Sequence, residues 1–539
     1  MGDVADEVHA SMTATQAPPR PTAPDAPVRT AAPVGGLAGI LGSADHKVVG
    51  RLYVGTALLM ALASGVAGLL AGIDRIDGVA GNTILNESTA DQVVTFHATS
   101  ATLLVLIPAL LGLAMVVVPL QVGARTIAFP RAAAASYWTF LVGAGMTVTA
   151  YAINGGPGGG RSDAVDLWLA ATALVAVALV LGSVCVATTV LAVRTKGMGL
   201  DRVPFFSWSM LCTSVLWLLT LPVLVAVLIV MYVDHRYGQV FIGDGGPAMY
   251  EQVAWFGRQP QVYAVAIPVL GLVLDAATTA SGVRLVQRGA ARVAIGAFAV
   301  LGVGAFALEA ISSPEAADQP VTKAMALLAP LPVLAVVGLA AGMLRQRFPK
   351  VTSGLVGGII ATLVLLLATL VGAATAFEGA LELAGTQWVT AQAHLTLVAA
   401  AIGLVAGLYH WSTKVVGRVA GEGPGRTAPL VIALGAVVLA GPEALSGLLG
   451  DGDEAATGIE ALNAAAVAGA VLVLLGGLVA TSGLVGRRRA DEPADPWDGH
   501  TLEWATASPP SFSNFDGDVP AVTSAEPLRV DADAEEVSA

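Results

Sequence analysis

The sequence predicts an all-α polytopic membrane protein, a bundle of twelve transmembrane helices, and three observations lead there. Of 539 residues, 55% are apolar and only 12% charged, with a mean hydropathy of +0.75, which is too apolar for a soluble globular chain. Twelve stretches are long and apolar enough to cross a hydrocarbon core that takes about 20 helical residues. Basic residues gather on alternate connections between those stretches.

In chain order the stretches are 48–72, 94–118, 135–154, 164–193, 207–233, 261–283, 292–311, 324–344, 354–376, 388–411, 428–450 and 461–485. An even number puts both termini on one side. The connections shared with the termini hold Arg125 and Arg131, then Arg194, Lys196 and Arg202, then Arg284, Arg288 and Arg292. They continue with Arg345, Arg347 and Lys350, with Lys414, Arg418 and Arg426, and with Arg487 to Arg489. The opposite connections hold only Arg75, Arg161, Arg236, Arg258 and Lys323. By the positive-inside rule the protein sits in the cell membrane with N- and C-termini in the cytoplasm.

Residues 1–44, rich in Ala, Pro and Thr, lack a basic segment followed by an apolar run and cleavage site, so they read as a disordered cytoplasmic tail. Residues 45–489 form the transmembrane domain, and 490–539 read as a polar cytoplasmic C-terminal tail. The net charge of −12 belongs largely to that tail and to extracytoplasmic loops, for example Asp451, Asp453 and Glu454, and reads as solvated charge. Cys185 and Cys212 both fall inside spans without CxxC spacing, which suggests neither a zinc site nor a disulfide framework. Nothing points to nucleic-acid binding; the partners implied are membrane lipid and other membrane subunits.

Four segments carry a resemblance. They are DHKVVGRLYVGT (Asp45–Thr56), VPLQVGARTIAFPRAAAASYW (Val118–Trp138), RVPFFSWSMLCTSVLWLLTLPVL (Arg202–Leu224) and DPWDGHTLEWATASPPSFSNF (Asp495–Phe515). Taken together and in this order, they resemble subunit I of the heme-copper oxidases, the cytochrome c oxidase subunit I superfamily. The resemblance implies a low-spin heme between histidines on the second and tenth helices. It also implies a high-spin heme on a third histidine two residues before the latter, and copper on one histidine of helix six and an adjacent pair on helix seven. Imidazole suits both metals.

Transferred residue by residue, most of that set is missing. His97 falls at the helix-two ligand, and His394 at the low-spin ligand of helix ten. The high-spin position is Gln392, a poor iron ligand. The copper positions are Gln259 on helix six and Leu308 and Glu309 on helix seven, and the family's proton-carrying glutamate is Gln261. Tyr263 persists without its histidine partner and reads as structural, while His410 matches a family position that binds no metal. Counting back from GLYHWSTKVVG (Gly407–Gly417) puts His394 one residue out of step, a rotation of about 100° on a helix.

The proton-route positions are Thr126 and the alanines Ala132 to Ala135, and Ala324 to Met343 holds no counterpart of the family's helix-eight lysine. The arginines that hold the heme propionates are absent from GPEALSGLLGDGDE, and a family arginine at the end of helix one falls at Gly72, with Arg75 three residues on. Two readings stay open. In one, the chain keeps a single bis-histidine low-spin heme, with no copper and no oxygen-reducing centre, and serves electron transfer in a respiratory complex. In the other, it is a cofactor-free structural or assembly subunit. An active terminal oxidase is disfavoured at the site, and a solute transporter finds no intramembrane charge cluster in its support.

Overall fold

The computed structural model describes residues 36–76, 84–238, 262–303, 320–449, 456–485 and 492–529. A contact boundary separates Met1–Ser43 from Ala44–Ala539. In the first unit the described part is a short helix, Gly36–Leu41.

The second unit is a helical bundle. Its helices are α1 (His46–Ile76), α2 (Glu87–Gln121), α3 (Pro130–Ala152), α4 (Ser162–Ala192), α5 (Phe205–Tyr237) and α6 (Val262–Ser281). They continue with α7 (Arg288–Val303), α8 (Lys323–Gln346), α9 (Ser353–Leu381), α10 (Gln387–His410), α11 (Glu422–Leu449) and α12 (Ala456–Leu484). Among the described residues, ten helices are long and apolar enough to cross a membrane. The two others are α3, a full 23-residue helix whose hydropathy Ser136, Thr147 and Thr149 lower, and α7, beyond which the predicted span 292–311 leaves the described residues.

Two helices occupy the middle. The most apolar windows of α2 and α6 are 94% and 89% buried, against 17% for α1 and 22% for α12, so α2 and α6 are wrapped by protein and the outer helices face lipid. α2 packs on α1, α4 and α5, and α6 on α5 and α9. Just after His97, α2 runs through a π-helical turn, Ala101–Leu106, a form that adds a residue to the turn and re-aims what precedes it.

The segment read as a polar tail is packed over 492–529. Leu502, Trp504 and Phe515 are buried, and Glu503 lies in a short 3-10 turn, Leu502–Ala505. Lys414 Nζ donates to Thr506 O at 2.7 Å, and Trp497 Nε1 to His410 O at 3.0 Å. At its far end Asn514 shares its Oδ1 with His46 and Lys47, both at 3.0 Å, and donates to Ala124 O at 2.8 Å. The first, second and fourth of the resembling segments therefore interlock at one face.

Glu503 accepts from Gln121 Nε2 at 3.0 Å and Trp411 Nε1 at 3.3 Å, and its other oxygen is buried without a partner among the described residues. With two neutral donors in contact and Asp275 beyond Gln121, burial pushes this carboxyl from 4.5 up to about 7. A carboxyl raised by folding contributes stability that is full below its unfolded pKa and is lost as pH rises through the folded value. Lys414, pulled down to about 8 by burial, is charged over most of that window and adds its own dependence only above it. Docking of 492–529 should therefore weaken between about pH 5 and pH 8. Limited proteolysis within 495–515 should accelerate over that range, and Glu503→Gln should flatten the response.

Candidate functional site

α2 and α10 bring His97 and His394 together, with ring centroids 6.1 Å apart and ring planes at 57°. His97 is fixed by α1, where its Nδ1 donates to Ser64 O at 2.8 Å. Gly68, one turn on, has no side chain because the ring lies against it: a Cβ there would stand 2.6 Å from the imidazole. α10 runs unbroken through His394. The one-residue offset in the sequence therefore leaves His394 facing α2, and the irregular turn lies on the His97 side.

Glu443 on α11 holds the second ring, its Oε2 2.8 Å from His394 Nδ1. Sequence reasoning missed this carboxylate. Its signal was an acid within the apolar stretch 428–450, a position costly enough in a membrane to imply a partner. Both Nδ1 atoms are thus engaged, by a carbonyl and a carboxylate, and neither Nε2 has a partner among the described residues. Such outer anchors fix the tautomer and leave Nε2 as the metal-binding atom. Arg75, at the end of α1, donates to Gln387 Oε1 at 3.2 Å at the start of α10. It supplies a cation at the same end of the two helices that carry the pair.

Gln392, one turn before Thr396 on α10, is buried and donates its Nε2 to Tyr263 OH at 2.9 Å. Gly372 of α9 lies against that amide, where a Cβ would come within 2.3 Å of Nε2. Gln392 and Tyr263 are therefore tied to each other. Gln259, Gln261, Leu308 and Glu309 lie outside the described residues. His410 is buried, edge-on to Trp411 and Trp504 at 4.8 and 5.4 Å, a packing role. Among the described residues no three His, Cys, Asp or Glu side chains cluster to hold a metal ion.

Apolar helices around a polar histidine pair define a multi-pass integral membrane protein. The model of the family described as Cytochrome C and Quinol oxidase polypeptide I matches residues 48–479, and the chain belongs to that family. It is similar to a heme-copper oxidase subunit I+III of Aeropyrum pernix, 30% identical over 516 residues, 89% of this chain and 61% of that one. It is also similar to a cytochrome c oxidase subunit 1 of Synechocystis sp., 27% identical over 509 residues, 88% of this chain and 89% of that one. A quinol oxidase subunit 1 of Bacillus spizizenii is 31% identical over 244 residues, 42% of this chain and 37% of that one. The chain spans between 43% and 61% of the length of four of its curated relatives.

Proposed function

We propose that this subunit I-like protein holds one low-spin heme between His97 and His394, carries electrons within a respiratory complex, and does not reduce dioxygen. The observation that carries the reading is the facing histidine pair with both Nδ1 atoms anchored. Two imidazoles whose centroids stand 6.1 Å apart, each with Nδ1 anchored and Nε2 without a partner among the described residues, form a donor set that would hold a bis-imidazole iron. When bound, such a heme would supply one-electron chemistry, with His97 and His394 as the residues that hold it.

The chain's own residues then have separate tasks. Ser64 O and Gly68 set the orientation of His97, and Glu443 orients His394 and raises its basicity. Arg75 offers the propionates the charge that buried carboxylates need. Gln392 turned toward Tyr263 supports the loss of the high-spin position, and glutamine, leucine and glutamate at 259, 308 and 309 support the loss of copper. The basic connections support cytoplasmic termini.

One observation favours the cofactor-free reading: the connection after α11 is acidic, with Asp451, Asp453 and Glu454 and no arginine. Heme and copper analysis of the purified chain, with its oxygen consumption, separates the readings. One heme per chain, no copper and no turnover is expected; a heme-free protein from heme-replete cells supports the cofactor-free subunit, and bound copper contradicts both. Loss of an outer anchor costs about ten- to a hundredfold in metal affinity, so Glu443→Ala should release heme to apomyoglobin faster by about that factor.

A further inference from the structure

At the face where 492–529 docks, a cavity of about 390 Å³ opens between three parts of the chain. Its floor is the end of α6 at Thr279 to Gly282. One wall is the connection after α8, with Arg347 and Lys350, and the other is the C-terminal segment, with Trp497, His500 and Arg529. Asp498 is the one acid in the lining.

The backbone of α6 holds the basic walls in place. Ala280 O accepts from Lys350 N at 2.8 Å, and Gly282 O accepts from the Arg529 guanidinium. These contacts occupy carbonyls that would otherwise repel an anion from a helix C-terminus. Arg529 is paired with Glu526 at 2.8 Å. Arg347 and Lys350 differ: among the described residues neither meets a carboxylate, and Lys350 Nζ has only Trp497 O, at 3.3 Å. Two cations thus border the cavity without an ion pair, against the single lining acid Asp498.

The depth of the cavity narrows the ligand. α6 ends at Ser281, α8 at Gln346, and α9 begins at Ser353, so the cavity stands where the hydrocarbon gives way to headgroups. Phe348, in its lining, is 88% exposed, and Val286 nearby in the chain is 83% exposed. Large apolar side chains left bare at the end of spanning helices suit contact with acyl chains, with Trp497 at the aromatic level of the interface.

We propose that this cavity binds a phosphate ester through Arg347 and Lys350, as the headgroup of an anionic phospholipid whose chains lie along Phe348. A basic pocket between helix ends is a recognised form of lipid site. A soluble phosphate ester shares the chemistry, and the experiment separates the two sources.

The full chain, reconstituted in nanodiscs of mixed phosphatidylglycerol and phosphatidylcholine and then released for native mass spectrometry, should retain phosphatidylglycerol in preference. The double variant Arg347→Gln/Lys350→Gln, altering two exposed side chains, should lower that preference roughly thirtyfold, the loss expected of two cations near an anionic headgroup. Arg426→Gln is the control, since Arg426 pairs with Glu422 at 3.0 Å elsewhere on this face; it should leave the preference unchanged. Competition by millimolar glycerol 3-phosphate, lost in the double variant, would assign the same site to a soluble ester. Equal retention of both lipids with no competition, or an equal effect of Arg426→Gln, would overturn the proposal.

Discussion

His97→Ala and His394→Ala should each abolish the low-spin heme spectrum of the purified protein while leaving the bundle folded. The two rings are supplied by different helices, and each is oriented by a third and fourth: Ser64 O on α1 for His97, and Glu443 on α11 for His394. On the proposed reading, loss of either imidazole would leave one residue to hold the heme, which would then be released or would bind carbon monoxide. His97 is only partly buried, so thermal stability of heme-free His97→Ala should change little, whereas His394→Ala leaves the buried Glu443 without its partner and should lower stability. A substituted chain with an intact low-spin spectrum would show that the iron, if present, is held elsewhere. Gly68→Ala offers an independent variant at the same site, because its methyl group would displace the His97 ring without removing it.

Asp275→Ala should be strongly destabilising, and its effect should be independent of any cofactor. Asp275 is buried on α6 and accepts from Phe205 N at 3.0 Å and Phe206 N at 2.9 Å, the first two amides of α5. Those amides have no partner within their own helix, and the positive end of the α5 dipole favours the carboxylate. Gln121 Nε2 also reaches Asp275, at 3.2 Å, and the amide oxygen of Gln121 takes the Ser207 hydroxyl at 2.6 Å. Truncation leaves the two buried α5 amides unpaired and Gln121 Nε2 with Glu503 alone, at a cost of about 3 kcal/mol. Thermal unfolding in detergent should register this, with Asp275→Asn milder because it keeps one acceptor oxygen. An unchanged midpoint for Asp275→Ala would mean that water replaces the carboxylate and that the junction is not sealed.

These two sites differ in how far the sequence discloses them. The long helices follow from uninterrupted apolar runs, and their ends in the structure lie within a few residues of the predicted spans, as for 354–376 against Ser353–Leu381. His97 and His394 stand out because an imidazole inside an apolar span is rare, and the family resemblance says which two to pair. Their facing arrangement could not be read from spacing, since the count along α10 pointed one residue away. Glu443 and Asp275 escaped for a physical reason: a single acid hardly alters the hydropathy of a 20-residue window, and its partners are 49 and 70 residues distant in sequence. The reading that no intramembrane charge cluster exists needs correction on this account, because His97, His394 and Glu443 form a polar group inside the spans.

The C-terminal segment escaped for a different reason. Leu502, Trp504 and Phe515 follow neither a helical nor a strand period, so the local pattern reads as a tail, and it is contacts with the start of α1 and the ends of α2 and α10 that make it part of the fold. Residues of the resembling segments build much of this interlock: His46 and Lys47 on Asn514, Gln121 with Trp411 on Glu503, and the start of α5 on Asp275. They maintain the scaffold at one face of the bundle, while the metal positions lie in other parts of the chain.

The most direct test of the central claim is a reduced-minus-oxidised optical spectrum of the purified wild-type protein, recorded with and without carbon monoxide. A low-spin heme signal that carbon monoxide leaves unchanged is expected, because His97 and His394 would both hold the iron. A featureless spectrum from protein made with ample heme, or a signal that shifts with carbon monoxide, would contradict it.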